Sequence, residues 1–224
     1  ETLLADRRLY LVRHGQRIDS IDNNWQNPGD DPHDPYLSDR GHWQAARLGQ
    51  RLQGEPIDVM LASPYTRTLQ TAQHVASALD MPFFVEDGIG EWQASALMKH
   101  PPDLGDLHER AAHYSYANLT HTSLRQPTYP ESKADVEARY ADTLRALLDY
   151  YPGNLLIVAH GKVVTAGAAA LTQQPEHKMR YGVACLTLLV QADAHAPDAK
   201  WQLEINGDTA HLEERATETR ATLV

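Results

Sequence analysis

Two apolar runs in this chain end in the same pair of residues. Residues 9–12 read Leu-Tyr-Leu-Val and break into Arg13-His14-Gly15, and "LLIVA" at 155–159 breaks into His160-Gly161. Near-continuous apolar runs of this length read as strands buried on both faces, which is the pattern of a parallel sheet. Each break carries a glycine, which permits a tight turn and a close approach of backbone to a ligand. A third run, "DVMLA" at 58–62, ends in Ser63-Pro64. Parallel strands need long crossover connections, usually helices. The chain is therefore confined to an α/β sheet with both faces covered.

The remaining periodicities fill in that frame. Candidate strands are 8–12, 57–62, 83–86, 155–159 and 184–190. A helix is expected over 39–53, with Ala45, Leu48, Gly49 and Leu52 on one face and Ser38 as N-cap. A second is expected over 64–79, with Ser63 as N-cap and Pro64 at the first helical position. A third, over 133–150, has Ser132 and Asp135 at capping-box spacing and an apolar face of Val136, Tyr140, Leu144, Leu147 and Leu148. Segments 184–190 and 201–205 flank a polar, Pro-containing loop and read as an antiparallel hairpin at a sheet edge. Residues 92–130 are rich in His, Pro and Tyr and show little periodicity. They are read as an insertion with short helices that caps one end of the sheet. The expected fold is one domain, 1–224, a three-layer α/β/α sandwich whose mostly parallel central sheet has an antiparallel edge strand.

Composition excludes several partners. The 224 residues carry a net charge of −10 with scattered Lys and Arg, so no phosphate-backbone groove is expected. An anion site on such a surface has to be a local positive pocket. No apolar run approaches the roughly 18 residues that span a bilayer, so no membrane partner is expected. "ETLLADRRLY" has no secretory pattern, and the single Cys185 suits a reducing compartment; a cytoplasmic location is expected. Oligomeric state cannot be read from the sequence.

In open α/β sheets ligands bind beyond the carboxyl ends of the strands. Four such ends offer Arg13 and His14, Arg67 of "SPYTRTLQTA", Glu91 of "EDGIGEW", and His160. Arg67 falls in a first helical turn, where a cation opposes the helix dipole unless an anion binds nearby. These residues, with "LSDRGHWQAARLG" and "VAHG", resemble the histidine phosphatase (phosphoglycerate mutase-like) superfamily over about 9–92 and 131–171. "RHGQRID", "DPYLSDRG" and "YPESKADVEARY" are most similar to the suppressor-of-T-cell-signalling and ecdysteroid-phosphate phosphatase branch. The ubiquitin-binding and SH3 modules of those larger proteins are not expected here.

The resemblance implies a phosphomonoester hydrolase. His14 would be the nucleophile, forming a phosphohistidine; Arg13, Arg67, His160 and Arg17 would bind the phosphoryl oxygens; Glu91 would be the general acid and base. Gln16, Trp25 and Trp92 are candidates for substrate contact. No cofactor or metal is implied. The substrate would be a phosphorylated small molecule or a phosphotyrosine-type ester, with inorganic phosphate as product. Loop 18–37 and the insertion 92–130 are expected to wall the pocket. Gln16 stands where relatives more often carry Glu. Lys162 stands where they carry small residues, and it is expected to point to solvent. "EWQASALMKH" lacks the Glu-Arg-His-Tyr-Gly-like segment of phosphoglycerate mutases, so mutase activity is the lesser reading.

Other phosphatase chemistries lack their residues. Cys185 is followed six positions on by Gln191, not Arg, and no Asp-x-Asp or P-loop occurs. His108, His113 and His121 are not at a recognised metal-ligand spacing. The rival from another class is a non-catalytic phosphate-binding module on the same fold.

Overall fold

The computed structural model describes residues 6–25, 31–191 and 200–213. β1 (Arg7–Arg13) is the first element among the described residues yet lies well inside the sheet. It pairs in parallel with β5 (Leu155–Ala159) on one side and antiparallel with β6 (Leu186–Gln191) on the other. Beyond β5 come β2 (Val59–Ala62), β3 (Phe83–Val85) and β4 (Ala117–Asn118), all parallel; β7 (Trp201–Asp208) closes the opposite edge against β6. The order of this seven-stranded sheet is β4-β3-β2-β5-β1-β6-β7.

Side chains alternate across each strand, so every strand feeds two cores. Leu9, Leu11, Leu61, Leu155 and Ile157 face α4 (Lys133–Tyr150) and α5 (Gly161–Thr172). Tyr10, Val12, Met60, Leu156 and Val158 face α1 (Asp39–Leu52) and α2 (Thr66–Leu79). This two-sided burial explains the continuous apolar runs in the sequence. All five residues of β5 are fully buried.

The α/β/α sandwich matches the expected class. The Ser132–Asp135 capping box is present, and Ser38 caps α1 through the Gly41 amide. Three details differ. α2 starts at Thr66, two residues later than the Ser-Pro signal predicts, with Tyr65 at the N-cap position. The first helical amide, Thr66 N–H, instead donates to Asp34 Oδ1 at 2.8 Å, and the Thr66 hydroxyl donates to Asp34 Oδ2 at 2.7 Å. A cap supplied from 32 positions upstream leaves no local signature. The insertion does carry a short helix, α3 (Leu107–Ala111), but it also lends β4 to the sheet edge. The hairpin of β6 and β7 forms, with register shifts between Leu186 and Leu189; most of its polar loop, 192–199, lies outside the described residues.

Candidate active site

The parallel register places three strand ends side by side. β2, β5 and β1 are neighbours, and the ladder continues one residue past each strand: Ser63 N–H donates to Val158 O and His14 N–H to Ala159 O, both at 3.0 Å. His14, His160 and Ser63 are thereby gathered at one carboxyl edge. His160 is the N-cap of α5, extended before Gly161 starts the helix. A side chain at Gly161 would press on the Tyr181 ring and the Arg13 guanidinium. Glu91 follows β3 after a single 3-10 turn, Asp87–Ile89.

His14 and His160 are packed edge to face, with ring centroids 5.4 Å apart. His14 is 2% exposed, Arg67 1% and His160 0%. Arg67 reaches Glu91 Oε2 at 3.3 Å and lies 3.4 Å from His160 Nδ1. His160 Nδ1 lies 3.3 Å from Glu91 Oε2, and His160 Nε2 meets Ser63 Oγ at 2.8 Å. The second Glu91 oxygen accepts the Trp92 amide at 3.1 Å. On the far side of Arg67 stands Asp34, 3.6 Å away. Tyr65 lies beneath the guanidinium, its ring centroid 4.6 Å off, and packs edge-on against His160.

The His14 tautomer follows from its neighbour. Nδ1 is 2.7 Å from the Gly15 carbonyl, which can only accept, so Nδ1 carries the proton and Nε2 keeps a free lone pair. Burial, reinforced by the charges of Arg67 and His160, holds the His14 pKa well below its ordinary value. Burial likewise lowers His160 to about 4, against the opposing pull of Glu91. Burial alone would raise Glu91; His160, Arg67 and His14 outweigh it and hold the carboxyl well below the usual carboxylate range. The site therefore rests near neutral pH with both imidazoles uncharged and Glu91 ionised.

Packing fixes the nucleophile loop. The Gly15 amide donates to Thr71 Oγ1 at 3.2 Å, and that hydroxyl donates to the Arg67 carbonyl at 2.8 Å. The loop thus rides on the helix that carries Arg67. Gly15 and Gly41 lie backbone against backbone, and a Cβ on either would overlap the other strand of chain.

Arg13 borders the same cluster. Its Nη1 donates to Tyr181 O at 2.7 Å, and its guanidinium lies 5.7 Å from the Tyr181 ring centroid. Burial lowers its pKa, and the nearby charge of Arg17 adds to that effect. Arg17 itself spends two nitrogens on Asp19, both at 2.9 Å, with its side chain about a third exposed. Gln16 is drawn away: its side-chain oxygen accepts from Ser38 Oγ at 2.9 Å, beside the α1 N-cap. Trp25 is half-buried and packs edge-on against Tyr36. Trp92 packs on the core, its indole N–H donating to Glu131 O at 3.1 Å. Lys162 does not point to solvent. It pairs with Glu137 at 2.9 Å and Glu176 at 2.7 Å, because α4 and the turn after α5 bring both carboxylates onto its helix face.

Sequence reasoning missed Ser63 as a partner of His160, Tyr65 as the aromatic floor, and Asp34 as the counter-charge of Arg67. The available signal for Ser63 was its place at the end of a strand adjacent to the strand of His160. Two buried guanidinium nitrogens, Arg13 Nε and Arg67 Nε, have no hydrogen-bond partner. Buried donors of that kind are normally satisfied.

His14, Glu91 and His160 are also the one His/Cys/Asp/Glu group among the described residues whose ligand atoms lie within 4.8 Å of one another. A cation there would meet Arg67, which stands within 3.4 Å of two of the three. The charge at this point suits an oxyanion.

Known proteins share this fold. A probable phosphoglycerate mutase of Yersinia pestis, GpmB, is 27% identical over 210 residues, covering 92% of this chain and 95% of that protein. The ecdysone phosphate phosphatase of Bombix mori, solved with tungstate, superposes with a TM-score of 0.71 at 18% identity, covering 91% of this chain and 96% of that one. A phosphoserine phosphatase of Entamoeba histolytica, solved with 3-phosphoglyceric acid, gives a TM-score of 0.64 at 21% identity, over 92% and 99% of the two chains. The family model described as histidine phosphatase superfamily (branch 1) matches residues 9–203. That match takes in every strand end described above, and the chain belongs to the histidine phosphatase superfamily.

Proposed function

We propose that this chain hydrolyses phosphomonoesters through a phosphohistidine on His14. The observation that carries the reading is a buried His14 whose Nδ1 faces the Gly15 carbonyl and leaves Nε2 free, beside two guanidinium groups that each retain an unpartnered N–H. Neutral imidazole is the nucleophilic form.

In the first step Nε2 attacks phosphorus and the bond from phosphorus to the ester oxygen breaks. Arg67, Arg13 and His160 hold the phosphoryl oxygens, and Arg17 joins them on leaving Asp19. A bound dianion takes over the Arg67 charge that stabilises ionised Glu91 in the resting site. The same dianion raises the Glu91 pKa, so the carboxyl takes up a proton and passes it to the departing oxygen. In the second step Glu91, now a carboxylate, removes a proton from water. The resulting hydroxide attacks phosphorus and frees His14 and inorganic phosphate.

A mutase would share the first step and return the phosphoryl group to a second hydroxyl. The name of the Yersinia relative favours that alternative. The absent mutase segment after Glu91 favours water as acceptor. A cavity of about 470 Å³ opens where residues 31–36 meet the insertion, with Asp34 and Tyr36 on one side and Asp103, Arg110 and Tyr114 on the other; residues 26–30 of the expected wall 18–37 lie outside the described residues. It adjoins Arg67 through Asp34. We place the organic part of the substrate there. Five carboxylates line the cavity against Arg110 and His113, which supports an uncharged or amine-bearing alcohol over a second phosphate. Phosphorylated small molecules fit this reading. No helix among the described residues is long and apolar enough to cross a membrane.

A chromogenic phosphate ester tests the proposal and separates it from a binding module. Turnover is expected to be unchanged after dialysis against excess chelator. Loss of most activity, restored by a divalent ion, would instead assign His14, Glu91 and His160 to a metal. Vanadate or phosphate is expected to inhibit competitively and to raise the melting temperature; at 100 times Kd the linkage is worth about 2.7 kcal/mol. Arg67→Ala should weaken vanadate binding by a charge-assisted contact, roughly 1.5–3 kcal/mol. Equal binding by parent and variant would remove Arg67 from the phosphate site.

A further inference from the structure

Glu91 sits in a segment with almost no regular structure, yet its surroundings are closely held. The carbonyls of Gly88, Gly90 and Glu91 find no partner in the 3-10 turn or in β3. One side chain on α4 collects them. Arg139 Nη1 donates to Gly88 O at 2.8 Å and to Gly90 O at 3.1 Å, and Nη2 donates to Glu91 O at 3.3 Å. Tyr140, the next residue on α4, donates its hydroxyl to Gly90 O at 2.8 Å. The other edge of the Arg139 guanidinium is filled by Glu131, at 2.6 Å to Nε and 2.8 Å to Nη2.

Glu131 then grips the chain beyond Glu91. Its carboxylate accepts the Gln93 amide at 3.1 Å, its own amide donates to Gln93 O at 3.0 Å, and its carbonyl accepts the Trp92 indole. Both sides of Glu91 are therefore tied to one buried ion pair, with side chains 6% and 1% exposed. Buried ion pairs are weak evidence for stability, since apolar replacements of similar volume are often neutral or better. An apolar side chain here would leave Glu91 O without its donor and reduce Gly88 O and Gly90 O to one hydroxyl each, from Thr143 and Tyr140, and a lysine would replace a planar fork with a point charge. Arg139 touches no reacting group; it meets Glu91 only through the main chain.

We propose that Arg139, braced by Glu131, is a positioning residue that sets where the Glu91 carboxylate stands, and that proton delivery to the leaving oxygen depends on it. The inference rests on reading Glu91 as the proton donor. A misplacement of about 1 Å by a group remote from the chemistry can cost roughly 10²-fold.

The test compares an alkyl phosphate, which cannot leave without a proton, with p-nitrophenyl phosphate, which needs little help. Arg139→Lys is expected to lower turnover of the alkyl ester roughly 10- to 100-fold and that of the nitrophenyl ester far less. Tyr140→Phe, which removes one hydroxyl donor and little volume, should show the same preference on a smaller scale. It decides the matter if Arg139→Lys does not fold. In a Glu91→Gln background either change should add nothing, since there is no acid left to misplace. Equal losses on both esters, or losses that add to that of Glu91→Gln, would make the clamp purely structural and overturn the proposal. If Glu91→Gln shows no ester preference while Arg139→Lys does, the clamp positions some other donor, and the assignment of Glu91 fails instead.

Discussion

His14→Ala is expected to abolish turnover, by about 10⁴-fold or more; removing the nucleophile of a serine protease alone costs on the order of 10⁶ in kcat. The imidazole bonds only its own following carbonyl, so the sheet should survive and the melting temperature should stay close to that of the parent. Rapid quenching of the parent with labelled substrate should yield an acid-labile, base-stable adduct on His14. His160 is the poorer candidate because both of its nitrogens are engaged, Nε2 with Ser63 and Nδ1 with Glu91. A label found on His160 would exchange the two roles.

Glu91→Gln carries the second large effect, and its size depends on the ester. Positioned acid–base groups contribute about 10²–10⁴-fold. With an alkyl phosphate most of that range should be lost. With p-nitrophenyl phosphate the loss should be small, provided transfer to His14 limits the rate. If breakdown of the phosphohistidine limits instead, both esters should fall alike, with a burst of alcohol equal to the enzyme present. An equal fall without a burst would send the search for the donor elsewhere in the cap, where His113 lines the cavity.

The buried strands were legible because a strand covered on both faces must be apolar throughout, and their ends were legible because helices force the chain to turn there. That combination located His14, Arg67, Glu91 and His160 before any contact was known. What stayed hidden was long-range satisfaction of polar groups. Ser63-Pro64 carries a sound helix-start signal, yet the Ser63 hydroxyl is taken by His160 across the sheet and the helix receives its cap from Asp34. Arg139 reads as one more polar residue on an amphipathic helix, because its partners lie 8 and about 50 positions away. Arg17 shows the reverse: Asp19 lies two residues on and claims the fork locally. Gln16 bonds Ser38 at the start of α1, and Trp25 packs on Tyr36, contacts that no local pattern announces.

The central position of β1 sets when this molecule can first act. Leu9 is registered against Leu155 on one side and Leu189 on the other. On the ribosome, the strand that aims His14 emerges ahead of both its partners and stays unpaired until residues 155–159 have been made. Its apolar edges are exposed for that interval, which is the condition under which nascent chains recruit chaperones or aggregate. Contacts of such separation also fold slowly. Recovery of turnover after dilution from denaturant should thus trail the return of helical signal, and catalysis becomes a reporter of the final docking event.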